Sequence, residues 1–260
     1  MNTTVKLSRT KDKIRTVSIT VALIALFYVS FTSLDLDIGK FITRIGDAGT
    51  VLSKLMTIDL SNIGPILLAM LASAAIAICG LFIGLIIAII LSFLSASNIT
   101  PNGILAAFIK GSVAVIRAVP ALVWILMVVA SLGFGSTAGM IGLIISTVGY
   151  LTKAFTASIE EQGSNIIEAL KTTGAGWISI VIKGLLPSVI RPFMSWTAIK
   201  LEIGIAESIN LGMVGVAGIG SMLMKSLGRY DYAAISTTII VIFISMLIVE
   251  IVVNRLKKLI

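Results

Sequence analysis

Residues 168–187 read EALKTTGAGWISIVIKGLLP, the only long, polar-punctuated stretch between two apolar runs of this 260-residue chain. Ile166, Ile167 and Leu170 set an apolar stripe on a short helix for which Ser164 or Asn165 serves as cap. Gly174 and Gly176 then break or bend the chain, and Trp177, Ile178, Val181 and Ile182 begin a second stripe ending near Pro187. A glycine inside a helical pattern costs about 1 kcal/mol relative to alanine, so Gly174 marks a turn or a close approach. Two short helices meeting at a glycine corner make a rigid knob. Such a knob can enter a groove on a partner and pass on the partner's motion as a rigid-body push.

The sequence on either side is of another kind. Apolar residues make up 57% of the chain and charged residues 12%, with a mean hydropathy of +1.10. That leaves too little polar surface to cover a soluble globule, so the chain is an integral membrane protein. A bilayer core about 30 Å thick needs about 20 apolar residues per helical crossing, at about 1.5 Å rise each. Six runs qualify: residues 17–34, 65–94, 104–131, 138–159, 189–211 and 233–253. Long unbroken runs predict an all-α fold of six transmembrane helices, since barrel strands would alternate over segments of roughly ten residues. The second and third runs exceed one crossing and are expected to tilt or to begin as interfacial helix. The chain thus divides into a basic tail over 1–16, a first span and outer loop over 17–64, and a core over 65–260 that holds the polar 160–188 connection.

Charge sets the orientation. The N-terminal tail carries Lys6, Arg9, Lys11, Lys13 and Arg15 against one Asp, and the C-terminal tail carries Arg255, Lys257 and Lys258. The bias of Lys and Arg toward the inner side makes both ends cytoplasmic, and six spans agree with that. Lys171 and Lys183 then fall inside as well, while the first outer loop carries Asp35, Asp37, Asp47 and Asp59 against Lys40, Arg44 and Lys54. The net charge of +8 reads as membrane topology, not as nucleic-acid binding. No small-residue cleavage site follows Phe31, so the first helix is expected to be retained instead of cleaved as a signal. Cys79 is the single cysteine; it excludes an intrachain disulfide and is expected to serve packing.

Several chemistries are excluded. The chain has no His, no cysteine cluster and no GxxxxGK[ST] phosphate loop, so it houses neither a usual zinc site nor nucleotide hydrolysis. The glycine-rich run LGMVGVAGIG at 211–220 follows no strand and misses the GxGxxG spacing of a dinucleotide site.

The 168–187 stretch resembles the coupling loop of permease subunits in binding-protein-dependent type I ABC importers: EAA, three residues, Gly, nine residues, then an aliphatic residue and LP. Glu168, Ala169, Gly174, Leu186 and Pro187 fall on that pattern, whereas Leu170 stands for its second Ala and Gly184 for its aliphatic residue. RAVPALVW at 117–124, LEIGIAESINLG at 201–212 and GMVGVAGIG at 212–220 are also similar and point to the phosphonate-importer branch. The resemblance covers most of the chain from about residue 65. It implies a six-helix permease whose cytoplasmic coupling helix, through Glu168, Ala169, Gly174, Ala175, Leu186 and Pro187, docks on a dimer of ATP-binding subunits. It implies further a second permease copy, identical or paralogous, an extracytoplasmic substrate-binding protein, and a place in a prokaryotic plasma or inner membrane. ATP and Mg2+ would be bound by the ATPase, with no cofactor on this chain. The implied cargo is phosphonate or a related small phosphorus oxyanion; a different small solute and a proton-coupled carrier using Glu202 and Glu207 are the alternatives. For Glu168 itself, the plain reading is an i,i+3 pair with Lys171, worth a few tenths of a kcal/mol.

The residues read for the translocation path and its gate are Arg117, Pro120, Glu202, Glu207, Met213, Gly215, Gly218 and Gly220. Pro120 removes a backbone hydrogen bond and permits a kink in the third span. Arg117 fits two roles, a gate residue or an anchor that snorkels to the cytoplasmic face, since Lys110 lies about two turns earlier. Lys200, Glu202 and Glu207 lie within about two turns of the fifth span, which places that helix beside a hydrated path. Lys200 and Glu202 point to different faces and do not simply neutralise one another. Glu202 matches the acidic residue of a family motif in which EI is followed by two residues and Arg; Ala206 stands for that Arg, and Glu207 adds a carboxylate. That change disfavours an anionic cargo. A second reading pairs Glu202 and Glu207 with Arg or Lys of another helix or subunit, as structural ties. Gly212, Gly215, Gly218 and Gly220 supply backbone flexibility or a tight helix crossing at a re-entrant turn, and Gly80 with Gly84 forms a GxxxG packing motif.

Overall fold

The computed structural model describes residues 10–34, 37–100, 102–162 and 164–259, and the regular structure in them is helical throughout. The chain divides into two compact units, Met1–Ser53 and Lys54–Ile260. The first holds α1 (Thr10–Ser33) and most of α2 (Ile38–Leu55). The sequence reading treated α2 as outer loop, because it searched for runs long enough to cross a bilayer. The segment is instead an 18-residue amphipathic helix with Ile38, Phe41, Ile42, Ile45 and Leu52 along one side and Lys40, Arg44 and Asp47 along the other. That is the pattern of a helix lying in a membrane interface.

The second unit runs α3 (Ile63–Ser95), α4 (Gly103–Ala118), α5 (Ala121–Leu132), α6 (Ser136–Gln162), α7 (Ser164–Thr172), α8 (Trp177–Ser179), a π-helical segment Ile180–Leu185, α9 (Leu186–Met213), α10 (Ile219–Gly228) and α11 (Tyr232–Leu259). Among the described residues five helical runs are long and apolar enough to cross a membrane, and a sixth counts if α4 and α5 form one span. Those two were expected as a single run over 104–131, but they are bent by 89°. The cause is local. Pro120 has no N–H, so the Ile116 carbonyl loses its partner four residues on, and Val119 before the proline is extended at φ −90° and ψ 126°. The Trp124 indole Nε1–H donates to that orphaned carbonyl at 3.0 Å and so fixes the corner.

α6 is the central post, packed against α3, α4, α5, α7 and α9. Lipid tails are as apolar as the side chains, so helices in a bilayer are held by close packing, and small residues permit it. A Cβ on Gly84 would lie 2.7 Å from Thr147 Cγ2, and one on Gly149 would lie 2.6 Å from Ile116 Cγ2. The Gly80 and Gly84 pair is therefore where α3 crosses α6. Cys79 next to it does not share that contact; it is exposed.

At the α9–α10 corner Gly212 and Gly220 make a close helix crossing, while Gly215 and Gly218 supply backbone conformation. A Cβ on Gly212 would lie 2.6 Å from the Ser221 amide nitrogen and 2.7 Å from Gly220 Cα. Gly215 (φ 94°) and Gly218 (φ 144°) take conformations that side chains disfavour. Ser73 of α3 accepts a hydrogen bond from the Ile219 amide at 3.1 Å, which satisfies one of the free donors at the start of α10. Gly212→Ala is expected to cost about 1–3 kcal/mol by overpacking against backbone. Gly228→Ala, in open space, should stay within about 0.5 kcal/mol of the parent; thermal unfolding of both in nanodiscs checks the contrast. Trp124→Phe should cost about 1 kcal/mol by the same measurement, the worth of one hydrogen bond.

Candidate functional site

The 168–187 stretch forms the corner that its glycines foretell. α7 ends with Gly174 at φ 75°, the Gly174 amide donating to Lys171 O at 3.0 Å and the Ala175 amide to Leu170 O at 3.2 Å. This double closure satisfies the last carbonyls of the helix and requires a left-handed residue where Gly174 stands. The expected caps Ser164 and Asn165 both fall inside α7, and their side chains lie outside the described residues. Glu168 is exposed, and among the described residues it forms no ion pair with Lys171. Ala169 and Pro187 are also exposed, with Ala175 and Leu186 half-buried.

The second helix does not end near Pro187. It runs unbroken from Trp177 to Met213, 37 residues. Pro187 sits in the first turn of α9, where a missing N–H is tolerated, and the preceding π segment bonds one residue further back, Leu186 N to Val181 O. The wider π turn also changes which residues face inward. Ile180 and Leu185, five apart, are buried, whereas Ile178 and Ile182 of the expected stripe are 65% and 56% exposed. Behind the corner lie Phe93, Ile99, Phe155, Ile159, Ile167 and Phe193. Phe155 and Phe193 stack at 3.9 Å, and Trp177 Nε1–H donates to Ile99 O at 3.1 Å. The two departures from the family pattern meet in space: a Cβ on Gly184 would strike Leu170 Cδ1. The larger Leu170 occupies the room that Gly184 vacates.

Inside the bundle, Lys200 is 1% exposed and forms a salt bridge to Glu207 Oε2 at 2.9 Å, two turns along α9. Its ammonium also donates to Ser146 Oγ of α6 at 3.0 Å and lies 5.8 Å from the centre of the Tyr150 ring. Ser146 Oγ in turn lies 3.3 Å from each oxygen of Glu207. The expectation that Glu207 pairs with another helix or subunit is corrected: its cation is on its own helix, at i,i−7. Arg117, Pro120, Ser146, Lys200 and Glu207 line one cavity of about 310 Å3 at the α4–α5 break. Glu202, half-buried, is not among its lining residues and makes no ion pair among the described residues. Met213, Gly215, Gly218 and Gly220 sit apart from it, at the α9–α10 corner.

A second polar cluster went unread in the sequence. Glu160 of α6 accepts from Lys110 Nζ at 2.7 Å and from the Ser97 amide and hydroxyl at 2.8 Å each. The legible signal was on α6: Ser146, Tyr150, Lys153 and Glu160 recur at helical spacing along one face of an apolar span.

A family model described as the binding-protein-dependent transport system inner membrane component matches residues 80–260. The chain belongs to that family. It is 26% identical over 92% of its length to the phosphite transport system permease protein PtxC of Stutzerimonas stutzeri, covering 85% of that protein. It is 29% identical over 68% of its length to the phosphate-import permease protein PhnE of Mycolicibacterium smegmatis, spanning about a third (34%) of it. In fold it matches a chain of the inward-facing MetNI methionine ABC transporter with a TM-score of 0.69 at 18% identity, over 77% of this chain and 98% of that one. It is thus a multi-pass permease subunit of a type I ABC importer, a component that works with an ATPase and a substrate-binding protein. The proton-driven carrier considered from Glu202 and Glu207 has no support in that membership.

Removing one partner of a buried pair leaves an uncompensated charge. Lys200→Met is expected to cost about 3 kcal/mol, the low end of that effect, because Glu207 remains partly open. The double variant Lys200→Met with Glu207→Leu should regain most of the loss in the same unfolding assay.

Proposed function

We propose that this permease imports a small phosphorus oxyanion, of the phosphite, phosphonate and phosphate class, along a path walled by α9. Relatives named for phosphite and phosphate transport support the class. The observation that carries it is the Lys200–Glu207 pair. The sequence raised an objection to an anion, because Ala206 replaces an arginine and Glu207 adds a carboxylate. With Glu207 neutralised 2.9 Å away, that objection loses its force, and Arg117 on the same cavity leaves the wall positive.

In this reading both termini and the α7–α8 corner are cytoplasmic, in keeping with Lys171, Lys183, Arg255, Lys257 and Lys258. A dimer of ATPase subunits binds ATP and Mg2+, and no reaction occurs on this chain. Glu168, Ala169, Gly174, Ala175, Leu186 and Pro187 frame the docking surface, together with the exposed Ile178 and Ile182. The core behind the corner turns ATPase closure into a tilt of the continuous helix Trp177–Met213, because push and path share one rod. A second permease copy closes the path, and the corner at Met213, Gly215, Gly218 and Gly220 gates its outer end. Arg117 acts at the path, not as a lipid anchor.

In the assembled complex, the binding protein loaded with phosphite, methylphosphonate or phosphate should stimulate ATP hydrolysis severalfold, and loaded with methionine it should not. Equal stimulation by methionine would end the oxyanion reading. Ile182→Asp and Glu168→Lys should each reduce co-purification of the ATPase by tenfold or more while leaving the amount of permease in the membrane unchanged. Retention of normal stimulated hydrolysis would remove the docking role.

A further inference from the structure

A cavity of about 320 Å3 opens between α3, α4 and α6, beyond Arg117 from the Lys200–Glu207 pair and toward the end of the bundle that carries α7. Its walls hold three cations, Lys110, Arg117 and Lys153, against one carboxylate, Glu160. Lys110 is bound to Glu160 at 2.7 Å, whereas Arg117 and Lys153 have no carboxylate within ion-pair distance among the described residues. Two positive charges therefore face this space without a countercharge among the described residues.

A second feature points to a ligand. The walls include three hydroxyl-bearing side chains, Ser95, Thr152 and Thr156, and one of them is orphaned. Thr156 returns its hydroxyl to the carbonyl four residues before it, the usual resting place for threonine in a helix, and meets Ser95 Oγ at 2.6 Å. Thr152, one turn earlier on the same wall and 1% exposed, makes no such bond; its hydroxyl has no partner among the described residues. Buried hydroxyls are ordinarily hydrogen-bonded, and leaving one unmade costs more than making it gains. Two free cations on the wall, with an unpartnered hydroxyl packed within it, complement a tetrahedral oxyanion, which offers several acceptors and one or two negative charges.

We propose that this cavity is a second oxyanion site, distinct from the level of Lys200 and Glu207, that holds a phosphate-type group by Arg117 and Lys153. In naming the ligand class the proposal rests on the cargo reading above. Arg117 lines both cavities, so an anion leaving the ion-pair level passes to Lys153 without losing its first cation. A site filled from the α7 end would also let accumulated product slow its own import. A phospholipid headgroup carries the same chemistry as free phosphate, and the two are separable.

The test is equilibrium binding of radiolabelled inorganic phosphate to the complete permease–ATPase complex, free of nucleotide and binding protein, in phosphatidylcholine nanodiscs. Saturable binding is expected, weakened tenfold or more by Lys153→Gln, recovered by Lys153→Arg, and unchanged within twofold by Lys257→Gln on the C-terminal tail. Exchange of part of the lipid for phosphatidylglycerol assigns the source: displacement of phosphate identifies a headgroup as the occupant of the oxyanion site, and no displacement identifies the free anion. Binding unaltered by Lys153→Gln, absence of saturation, or displacement by chloride as effective as by sulfate at equal ionic strength would overturn the site. Because neither turnover nor the binding protein enters this measurement, it can fail while phosphite still drives ATP hydrolysis, and it can succeed if the cargo proves to be another solute.

Discussion

Everything in the larger unit depends on how closely other helices can approach α6. In a bilayer no hydrophobic gain accompanies the meeting of two apolar helices, so the contact has to be made by shape. Gly80 and Gly84 on α3 meet Leu143 and Thr147, and Gly142 and Gly149 on α6 itself admit Ile125 and Ile116. These are the points where α3, α5 and the end of α4 are set. The polar groups that matter are placed by helix packing on α6: Ser146 reaches Lys200 and Glu207 because α6 and α9 pack together, and Glu160 reaches Lys110 and Ser97 because α4 and the end of α3 pack on α6.

The bundle joins the glycine corner to the Lys200–Glu207 pair through one helix. The aromatic stack of Phe155 on Phe193 ties α6 to α9, and the Trp177 bond to Ile99 ties α8 to the turn that follows α3. Pro187, which could have ended that helix, is absorbed by a π turn, so the same rod carries the corner at one end and Lys200 and Glu207 further along. A displacement applied at Ile178 and Ile182 therefore reaches the ion pair along one continuous helix, which carries Pro192 in its interior. The break at Pro120 does the opposite for α4 and α5: it splits a span in two and opens the backbone where Arg117 stands, with Trp124 closing the orphaned carbonyl.

Charge around the two cavities follows a single scheme. Glu207 is neutralised by the buried Lys200 and the partly exposed Glu160 by Lys110, whereas Arg117 and Lys153, exposed and without a carboxylate partner among the described residues, lie on the cavity walls. A carboxylate in a low-dielectric wall would repel an anion strongly, whereas a tight pair presents little field beyond its own length. The substitution at Ala206, which in isolation argues against an anionic cargo, is offset by the position of Lys200, seven residues before Glu207.

Composition and run length were enough, without coordinates, to establish a helical membrane protein of about six spans, and the glycines of the 168–187 stretch were enough to mark its corner. These are properties of chain-local physics: a bilayer demands a certain apolar length, and a glycine at a helix end permits a left-handed turn. The proline corner was half legible, since Pro120 announces a lost hydrogen bond while the 89° bend and the Trp124 donor arise from packing. α2 escaped because its apolar residues are spaced along a stripe, not gathered in a run. Pairing was decided only in three dimensions. Lys200 with Glu207, Glu160 with Lys110, and Leu170 filling the room of Gly184 each depend on which faces meet, and sequence spacing constrains a face without naming its neighbour.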